Sequence, residues 1–198
     1  FFLVIAVISF TIVSSNKALS QDESSGPNWN YIQGGLSLGM IDDTDGSLKG
    51  GGLEGSLKVS EMIFVQATGN FLNGTLMGID AEMKGWSLGL GARVGVSDNT
   101  DVYGKVGYSS YKAGAKVPGV LAVSVADNGF DLGAGIRSMV SESVELGVGV
   151  SYYNFGNDNG VSFNASALYM ISSQFAVGVF SDFGSDDRVI SSGVRMSF

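Results

Sequence analysis

The chain has no cysteine, no histidine and only two prolines in 198 residues. Without Cys there are no disulfides, no thiolate nucleophile and no cysteine metal site. Without His there is no imidazole to act as a general base near neutral pH. Charge is sparse as well, at 15% of residues with a formal net of −8. An acidic balance with no basic run argues against nucleic acid as a partner. No apolar run reaches the roughly 20 residues that a spanning helix needs. Pro27 and Pro118 both fall between elements, so neither interrupts a strand. Glycine is abundant instead, with 30 residues, beside 44% hydrophobic and 11% aromatic content. That mixture excludes low-complexity disorder, and the length suits one domain.

The dominant pattern is a period of two. At the C-terminus Ile190, Val194, Met196 and Phe198 share one parity, opposite Val189, Ser191, Gly193, Arg195 and Ser197. Such alternation marks a strand with one greasy and one mostly polar face. From Trp29 onward ten strands are predicted, over 29–41, 50–59, 62–71, 83–96, 101–111, 128–138, 143–153, 160–171, 174–183 and 188–198. In the fourth, Trp86, Leu88, Leu90, Ala92, Val94 and Val96 oppose Gly85, Ser87, Gly89, Gly91, Arg93 and Gly95. Short turns at 60–61, 97–100, 140–142 and 172–173 alternate with longer, more acidic loops at 42–49, 72–82, 112–127, 154–159 and 184–187. The apolar run 120–126 inside the third long loop is either an extension of the sixth strand, with a bulge at Asn128-Gly129, or a sign that one hairpin is miscounted and the strands number eight.

Ten one-sided strands need cover for their apolar faces. The opposite faces carry Gly and Ser, which would make a flexible, weakly charged water-facing surface. A closed barrel with its apolar face toward lipid satisfies every backbone group and has no edge. Strand length, short turns on one side and aromatics near strand ends all suit such a barrel. Phe71, Trp86, Tyr108, Phe130, Tyr152, Phe163 and Phe183 form one expected girdle, and Tyr169, Phe175 and Phe198 the other. The fold class expected is therefore all-β, a transmembrane antiparallel up-and-down β-barrel of ten strands, with eight as the alternative.

The first thirteen residues are almost wholly apolar, and Ser14-Ser15-Asn16-Lys17 and Ala18-Leu19-Ser20 follow. This is the layout of a secretory signal peptide. The expected division is a cleaved leader over 1–20, a short periplasmic segment over 21–28 and a barrel over 29–198.

The Gly-Ala-Gly-Ile-Arg pattern at 133–137, the alternating stretch at 143–153 and the Ser-Gly-Val-Arg-Met-Ser-Phe terminus resemble the small OmpA/OmpX-like outer-membrane β-barrel family. The terminus also resembles the insertion signal of bacterial outer-membrane barrels, carried here by Ile190, Val194, Met196 and Phe198. The resemblance implies a Gram-negative outer-membrane location, reached by export across the inner membrane. It implies lipid and lipopolysaccharide as surroundings, and periplasmic chaperones and the barrel-assembly machinery as partners in biogenesis. Many family members have eight strands, from which the count of ten departs.

Nine charged residues fall on the inward parity: Glu54, Lys58, Arg93, Lys105, Asp131, Arg137, Glu145, Asp182 and Arg195. Enclosed charges are either paired or hydrated. Pairing makes a closed polar plug, with Glu145 bridging Arg137 or Arg195. Hydration makes a narrow pore with a basic constriction on the periplasmic side, helped by inward glycines that leave the lumen unfilled. The expected external loops are acidic, through Asp42, Asp43, Asp45, Asp80, Glu82, Asp127, Asp158, Asp186 and Asp187. Asp42-Asp43-x-Asp45-Gly46 only loosely echoes a calcium loop, and Gly89-x-Gly91 and Gly133-x-Gly135 do not complete a dinucleotide fingerprint. The function expected is a monomeric, non-enzymatic barrel with no cofactor or metal. Its role is structural or surface-interacting through acidic loops, and a narrow pore for small solutes is the alternative.

Overall fold

The computed structural model describes residues 26–42, 44–116, 122–156 and 158–198. The expected leader over 1–20, with its cleavage after Ser20, lies outside the described residues. Ten strands follow one another without a helix among the described residues. They are β1 (Tyr31–Ile41), β2 (Gly46–Lys58), β3 (Ile63–Leu76), β4 (Ile79–Ser97) and β5 (Thr100–Lys116), then β6 (Val123–Ser141), β7 (Val144–Phe155), β8 (Asp158–Met170), β9 (Phe175–Phe183) and β10 (Asp187–Ser197). Each pairs antiparallel with its neighbours in sequence, and β1 pairs with β10 from Tyr31↔Ser197 to Ile41↔Asp187. The sheet thus closes as a ten-stranded up-and-down barrel with no free strand along its waist. The end that carries both chain termini is called the near end below, and the opposite one the far end.

The period of two is what makes the sheet close in this sense. Leu88, Leu90 and Val94 on β4, Val148 on β7 and Val194 on β10 are exposed on the outer surface, while Phe64, Glu145, Leu168 and Arg195 are buried inside. An ordinary soluble barrel has the reverse arrangement.

The far end departs from the expected plan. The segments expected as loops at 72–82 and 112–127 are mostly strand. β3 and β4 run on to a two-residue turn, Met77-Gly78, whose φ angles of 51° and 76° are those of a tight hairpin turn with two left-handed residues. β5 continues to Lys116 and β6 begins at Val123. No bulge occurs at Asn128-Gly129, because the β5–β6 register runs unbroken from Thr100↔Ser138 to Ala115↔Val123. Register shifts lie instead near the near-end turns, at Gly95/Ser97 and Met139/Ser141. The physical reason for these corrections is that alternation continues through both segments; only its polarity changes, as described below. At 19 residues each, β4 and β6 span roughly 45–50 Å along an axis tilted by about 40°, against an apolar band about 25 Å tall. The β2–β6 side of the barrel therefore stands well above the rest.

Candidate functional site: a plugged lumen beneath a raised collar

The residues just before β1 enter the near end of the barrel. Trp29 shares inward parity with Tyr31 and Gln33, so the chain that leads into β1 points an indole at the axis. Its ring lies 4.4 Å from Phe64 and 5.4 Å from Tyr103, centroid to centroid. Trp29, Tyr31 and Phe64 are all buried. Inward glycines create the room: a Cβ on Gly91 would fall within the Phe64 ring, and one on Gly135 would meet the Tyr103 hydroxyl at 2.6 Å. The expectation that inward glycines leave the lumen unfilled holds only above this level, where Gly35, Gly52, Gly133 and Gly147 line an open cavity; at the near end it does not. Glycine on one strand is the socket for a large ring on the next.

Guanidinium groups cover these rings. The Arg137 carbon Cζ sits 4.4 Å from the Trp29 ring and 5.2 Å from Tyr31, and that of Arg195 sits 4.1 Å from Tyr31. Glu145 lies between the two arginines. Its Oε1 accepts from Arg137 Nε at 2.9 Å and from Arg195 Nη1 at 3.0 Å, and lies 2.8 Å from Arg137 Nη2 as an ion pair. Arg137 also donates to the Asn28 carbonyl at 2.9 Å, which ties the entering chain to the plug. Exposure is 1% for Glu145, 7% for Arg137, 4% for Arg195 and 3% for Trp29. Water therefore does not reach the centre of this cross-section.

The polar contacts continue across the lumen without a break. Arg195 Nε donates to Gln33 Oε1 at 2.8 Å, and Gln33 Nε2 and Tyr31 Oη donate to Glu54 Oε1 at 3.1 and 2.7 Å. Lys105 Nζ donates to Gln66 Oε1 at 2.8 Å. Arg93 Nη1 and Trp29 Nε1 both donate to Asp101 Oδ2 at 2.6 Å. Lys58 sits half-buried at the near-end rim, where its backbone N–H donates to Asn30 Oδ1 at 2.7 Å. Buried charges persist where they are paired, and here each arginine has a carboxylate, while Arg137 Nη1 is buried without a hydrogen-bond partner. Asp101 was absent from the expected inward set, although it shares the parity of Lys105. With it, three carboxylates (Glu54, Asp101, Glu145) lie among the five cations Lys58, Arg93, Lys105, Arg137 and Arg195. The expected basic constriction keeps an excess of positive charge, although each of its arginines has a carboxylate or stands beside one.

Above the plug lies a cavity of about 380 Å³, lined among others by Gln66, Asn70, Lys105, Asn164, Ser166 and Asp182. Ser162 Oγ donates to Asp182 at 3.4 Å, and Ser109 Oγ donates to Asp131. Phe180 also faces this cavity.

Higher still, the strands exchange the polarity of their faces. Outward positions of β4 read Leu90, Leu88 and Trp86, then Lys84, Glu82 and Asp80. Inward positions read Gly89, Ser87 and Gly85, then Met83, Ala81 and Ile79. On β5 the outward row passes from Tyr108 to Lys112 and Lys116, while the inward row passes from Lys105 to Tyr111, Ala113 and Ala115. β2, β3 and β6 change in the same way, with Leu48, Leu72, Val123 and Val125 inward and Lys49, Asn73 and Ser124 outward. The change falls just beyond the exposed rings of Phe71, Trp86, Tyr108 and Phe130. Trp86 and Tyr108 lie 5.9 Å apart, and Phe130 and Tyr152 6.2 Å apart. Below this belt the outer face needs apolar residues; above it the outer face meets water. The segment above the belt is a collar with a charged outside and an apolar inside.

The expected acidic loop residues are distributed over this collar and the neighbouring turns. Asp80 and Glu82 lie on β4 and Asp127 on β6, not on loops; Asp158 opens β8 and Asp187 opens β10. Glu82 meets Lys84 at 3.4 Å, and Asp42 holds Arg188 through both carboxylate oxygens at 2.9 and 3.0 Å. Asp45 accepts the Met77 N–H through its carbonyl at 2.8 Å. Asp186 accepts from Ser185 Oγ at 3.1 Å. Asp43 lies outside the described residues. Burial, and then the neighbouring Asp186 and Asp42, push the Asp187 carboxyl above the usual aspartate range. The C-terminal residues Ile190, Val194, Met196 and Phe198 all face outward and are exposed, and the Phe198 N–H donates to the Asn30 carbonyl at 3.0 Å.

The family model described as outer membrane protein beta-barrel domain matches residues 4–189. No curated protein matches the chain. Among solved structures, the KdgM porin in complex with disordered oligogalacturonate is similar at 14% identity and a TM-score of 0.50, covering 85% of this chain and 99% of that one. The translocator domain of the autotransporter NalP from Neisseria meningitidis is similar at 14% identity and a TM-score of 0.50, covering 87% and 89%. The attachment invasion locus protein Ail of Yersinia pestis aligns at 15% identity and a TM-score of 0.48, covering 84% and 97%. At such identities the likeness is one of fold.

Proposed function

Because this chain belongs to the outer membrane protein beta-barrel domain family, we propose that it acts at the outer face of a bacterial outer membrane as a non-conducting barrel whose raised collar makes surface contacts. The near end then faces the periplasm and the far end the exterior. The carrying observation is the plug: Arg137, Glu145, Arg195 and Trp29 fill one cross-section and are almost wholly buried. A path for small solutes needs a hydrated, unpaired lining at every level. The plug has neither property. A further support is the outer face of the collar and its turns, where Asp42, Asp45, Asp80 and Glu82 stand among Lys49, Lys84, Lys112, Lys116 and Arg188 and offer charged groups of both signs to an outside surface. Reaction chemistry has no support from the residues, since the chain contains no His or Cys and its enclosed carboxylates are engaged by arginines and hydroxyls.

The accompanying biology follows the same reading. Residues 1–20 act as the export leader, the segment after it stays periplasmic until Pro27 and Asn28 enter the near end, and the barrel-assembly machinery and chaperones deliver a monomer into lipid and lipopolysaccharide. Single-channel recording in planar bilayers tests the closed lumen: the refolded protein gives no conductance steps, and regular steps would refute the reading in favour of a pore. Adhesion of producing cells to a polylysine surface tests the contact role. Replacing Asp80 with Asn and Glu82 with Gln lowers adhesion several-fold; unchanged adhesion would refute it.

A further inference from the structure

The cavity above the plug has one wall of bare backbone. Gly133 and Gly135 on β6 lie beside Gly147 and Gly149 on β7, with Gly135 opposite Gly149 in the register. Polar side chains from the flanking strands gather over this patch. A Cβ on Gly149 would stand 3.1 Å from the Tyr103 hydroxyl and 2.7 Å from Asn164 Oδ1. One on Gly147 would meet Ser166 Oγ at 2.5 Å, and one on Gly133 would meet Lys105 Cε at 2.9 Å. Tyr103, Lys105, Asn164 and Ser166 all line the cavity. Much of their hydrogen-bonding capacity is unused. Among the described residues no group hydrogen-bonds the Tyr103 or Ser166 hydroxyl, and Asn164 Nδ2 reaches only Ser151 Oγ, at 3.4 Å. The Lys105 amine has one partner, the neutral Gln66 amide at 2.8 Å, and no carboxylate within 4.0 Å among the described residues. Arg137 and Arg195 border the cavity from below and share the single carboxylate of Glu145, which leaves this part of the floor positive. The other carboxylates are engaged elsewhere: Asp131 by Ser109, Glu54 by Tyr31 and Gln33, and Asp182 by Ser162 on the far wall. Asp182 is exposed, so water enters from the far end, while the plug closes the near end.

An unpaired cation beside unused hydroxyls and an amide selects a chemistry. We propose that this wall binds a short hydroxylated monocarboxylate that enters from the far end, with its carboxylate on Lys105 Nζ and the Tyr103 hydroxyl and its own hydroxyls on Asn164 and Ser166. A charge-assisted bond to the carboxylate is stronger than the neutral one that Lys105 now makes. The missing side chains at Gly133 and Gly149 leave the room in which the ligand lies. A plain fatty acid would set methylene groups against Asn164 and Ser166 and leave them unsatisfied. An α-amino acid carries its ammonium next to its carboxylate, where the wall offers Lys105 and no counter-charge. A dianion would turn its second charge toward Asp131 or Asp182. Water occupies the rest of the cavity and bridges to those carboxylates. With the plug beneath it, the site holds its ligand and does not pass it on. The site is separate from the collar contacts proposed above and rests on the closed lumen only for being a dead end.

The test uses the full barrel in lipid nanodiscs and equilibrium dialysis with radiolabelled glycerate, glycerol, propionate and serine. Glycerate binds about tenfold or more tightly than glycerol, which lacks the carboxylate, and than propionate, which lacks the hydroxyls. Lys105→Met weakens glycerate binding by about tenfold or more, and Tyr103→Phe, which keeps the ring against Trp29 and Phe64, by about threefold or more. Lys112→Met, on the outer face of the collar, leaves it unchanged. Retained gel mobility before boiling identifies the folded variants. Equal binding of glycerate, glycerol and propionate overturns the proposal, as does glycerate binding that is unchanged in both Lys105→Met and Tyr103→Phe. Serine binding more tightly than glycerate also overturns it, because that would require a carboxylate beside Lys105. Conductance steps in planar bilayers overturn the closed lumen alone; dialysis decides the site in either case.

Discussion

Replacing Glu145 with Ala removes the only carboxylate between two buried guanidiniums. Two charge-assisted hydrogen bonds converge on one of its oxygens, at 2.9 and 3.0 Å, with a second Arg137 nitrogen in ion-pair contact at 2.8 Å, and the residue is 1% exposed. Each such bond contributes roughly 1.5–3 kcal/mol, but the sum is not the expected loss. Arg195 keeps Gln33, and Arg137 keeps the Asn28 carbonyl and the faces of Trp29 and Tyr31. What decides the magnitude is the mutual repulsion and missing solvation of two cations left without a counter-charge, for which the usual cost is about 3–5 kcal/mol. Glu145→Gln retains one acceptor oxygen and loses less. Urea unfolding of the barrel in lipid vesicles, followed by tryptophan fluorescence, measures this directly, since Trp29 reports the plug. Adding Arg195→Met to Glu145→Ala recovers part of the loss, because one unpaired cation leaves with it. A loss for Glu145→Ala below about 1 kcal/mol would refute the ion-paired plug, as it would mean that water or lipid headgroups solvate the arginines already.

Two further perturbations follow from the geometry. Gly91→Ala places a methyl within the Phe64 ring and destabilises the barrel by about 1–3 kcal/mol; combining it with Phe64→Leu restores most of the loss in the same unfolding assay, and no restoration would refute the socket. Asp187 has a raised pKa in the folded chain, so the folded state holds its proton more tightly, and stability falls as pH rises from the ordinary aspartate range through the raised value. Asp187→Asn therefore melts higher than the parent at pH 7 and equal to it at a pH below that range; a variant that melts lower at pH 7 would contradict the burial and carboxylate-repulsion account.

Much of the barrel was legible from alternation alone. The outward row Trp86, Leu88, Leu90, Val94 and the count of ten strands needed only a period of two, since lipid contact imposes the same demand on every strand. The far end was obscured by a rule that held elsewhere, that apolar means outward. In Ile79-Asp80-Ala81-Glu82-Met83-Lys84 the period is intact and the polarity is inverted, so the segment looks like a charged loop when it is a strand standing in water. The signal was present as an unbroken alternation across Gly85. The plug was obscured for a different reason. Trp29, Tyr31, Phe64 and Tyr103 sit on the inward parity, but aromatic residues near strand ends also suit an interfacial belt, and only the opposing glycines on neighbouring strands separate the two uses. Asp101 was masked by its place beside a turn, where aspartate is common for local reasons.

The joint between β1 and β10 has a consequence for how the ring forms and how it is held. Gly35 faces Gly193 across it, each so near the opposite backbone that a methyl on either would collide with a carbonyl oxygen of the other strand or its neighbour, and a pair of serines, Ser37 and Ser191, meets at 2.7 Å just beyond. The middle of this joint is a zip of main-chain bonds with little side-chain grip. Being the contact between the first and last ribbons, it spans the greatest chain separation of any pair and closes after the others have a template to grow on. Its side-chain grip sits at the two rims instead, where Arg195 meets Gln33 at one end and Arg188 meets Asp42 at the other, so the fastening is held top and bottom and is plainest in between.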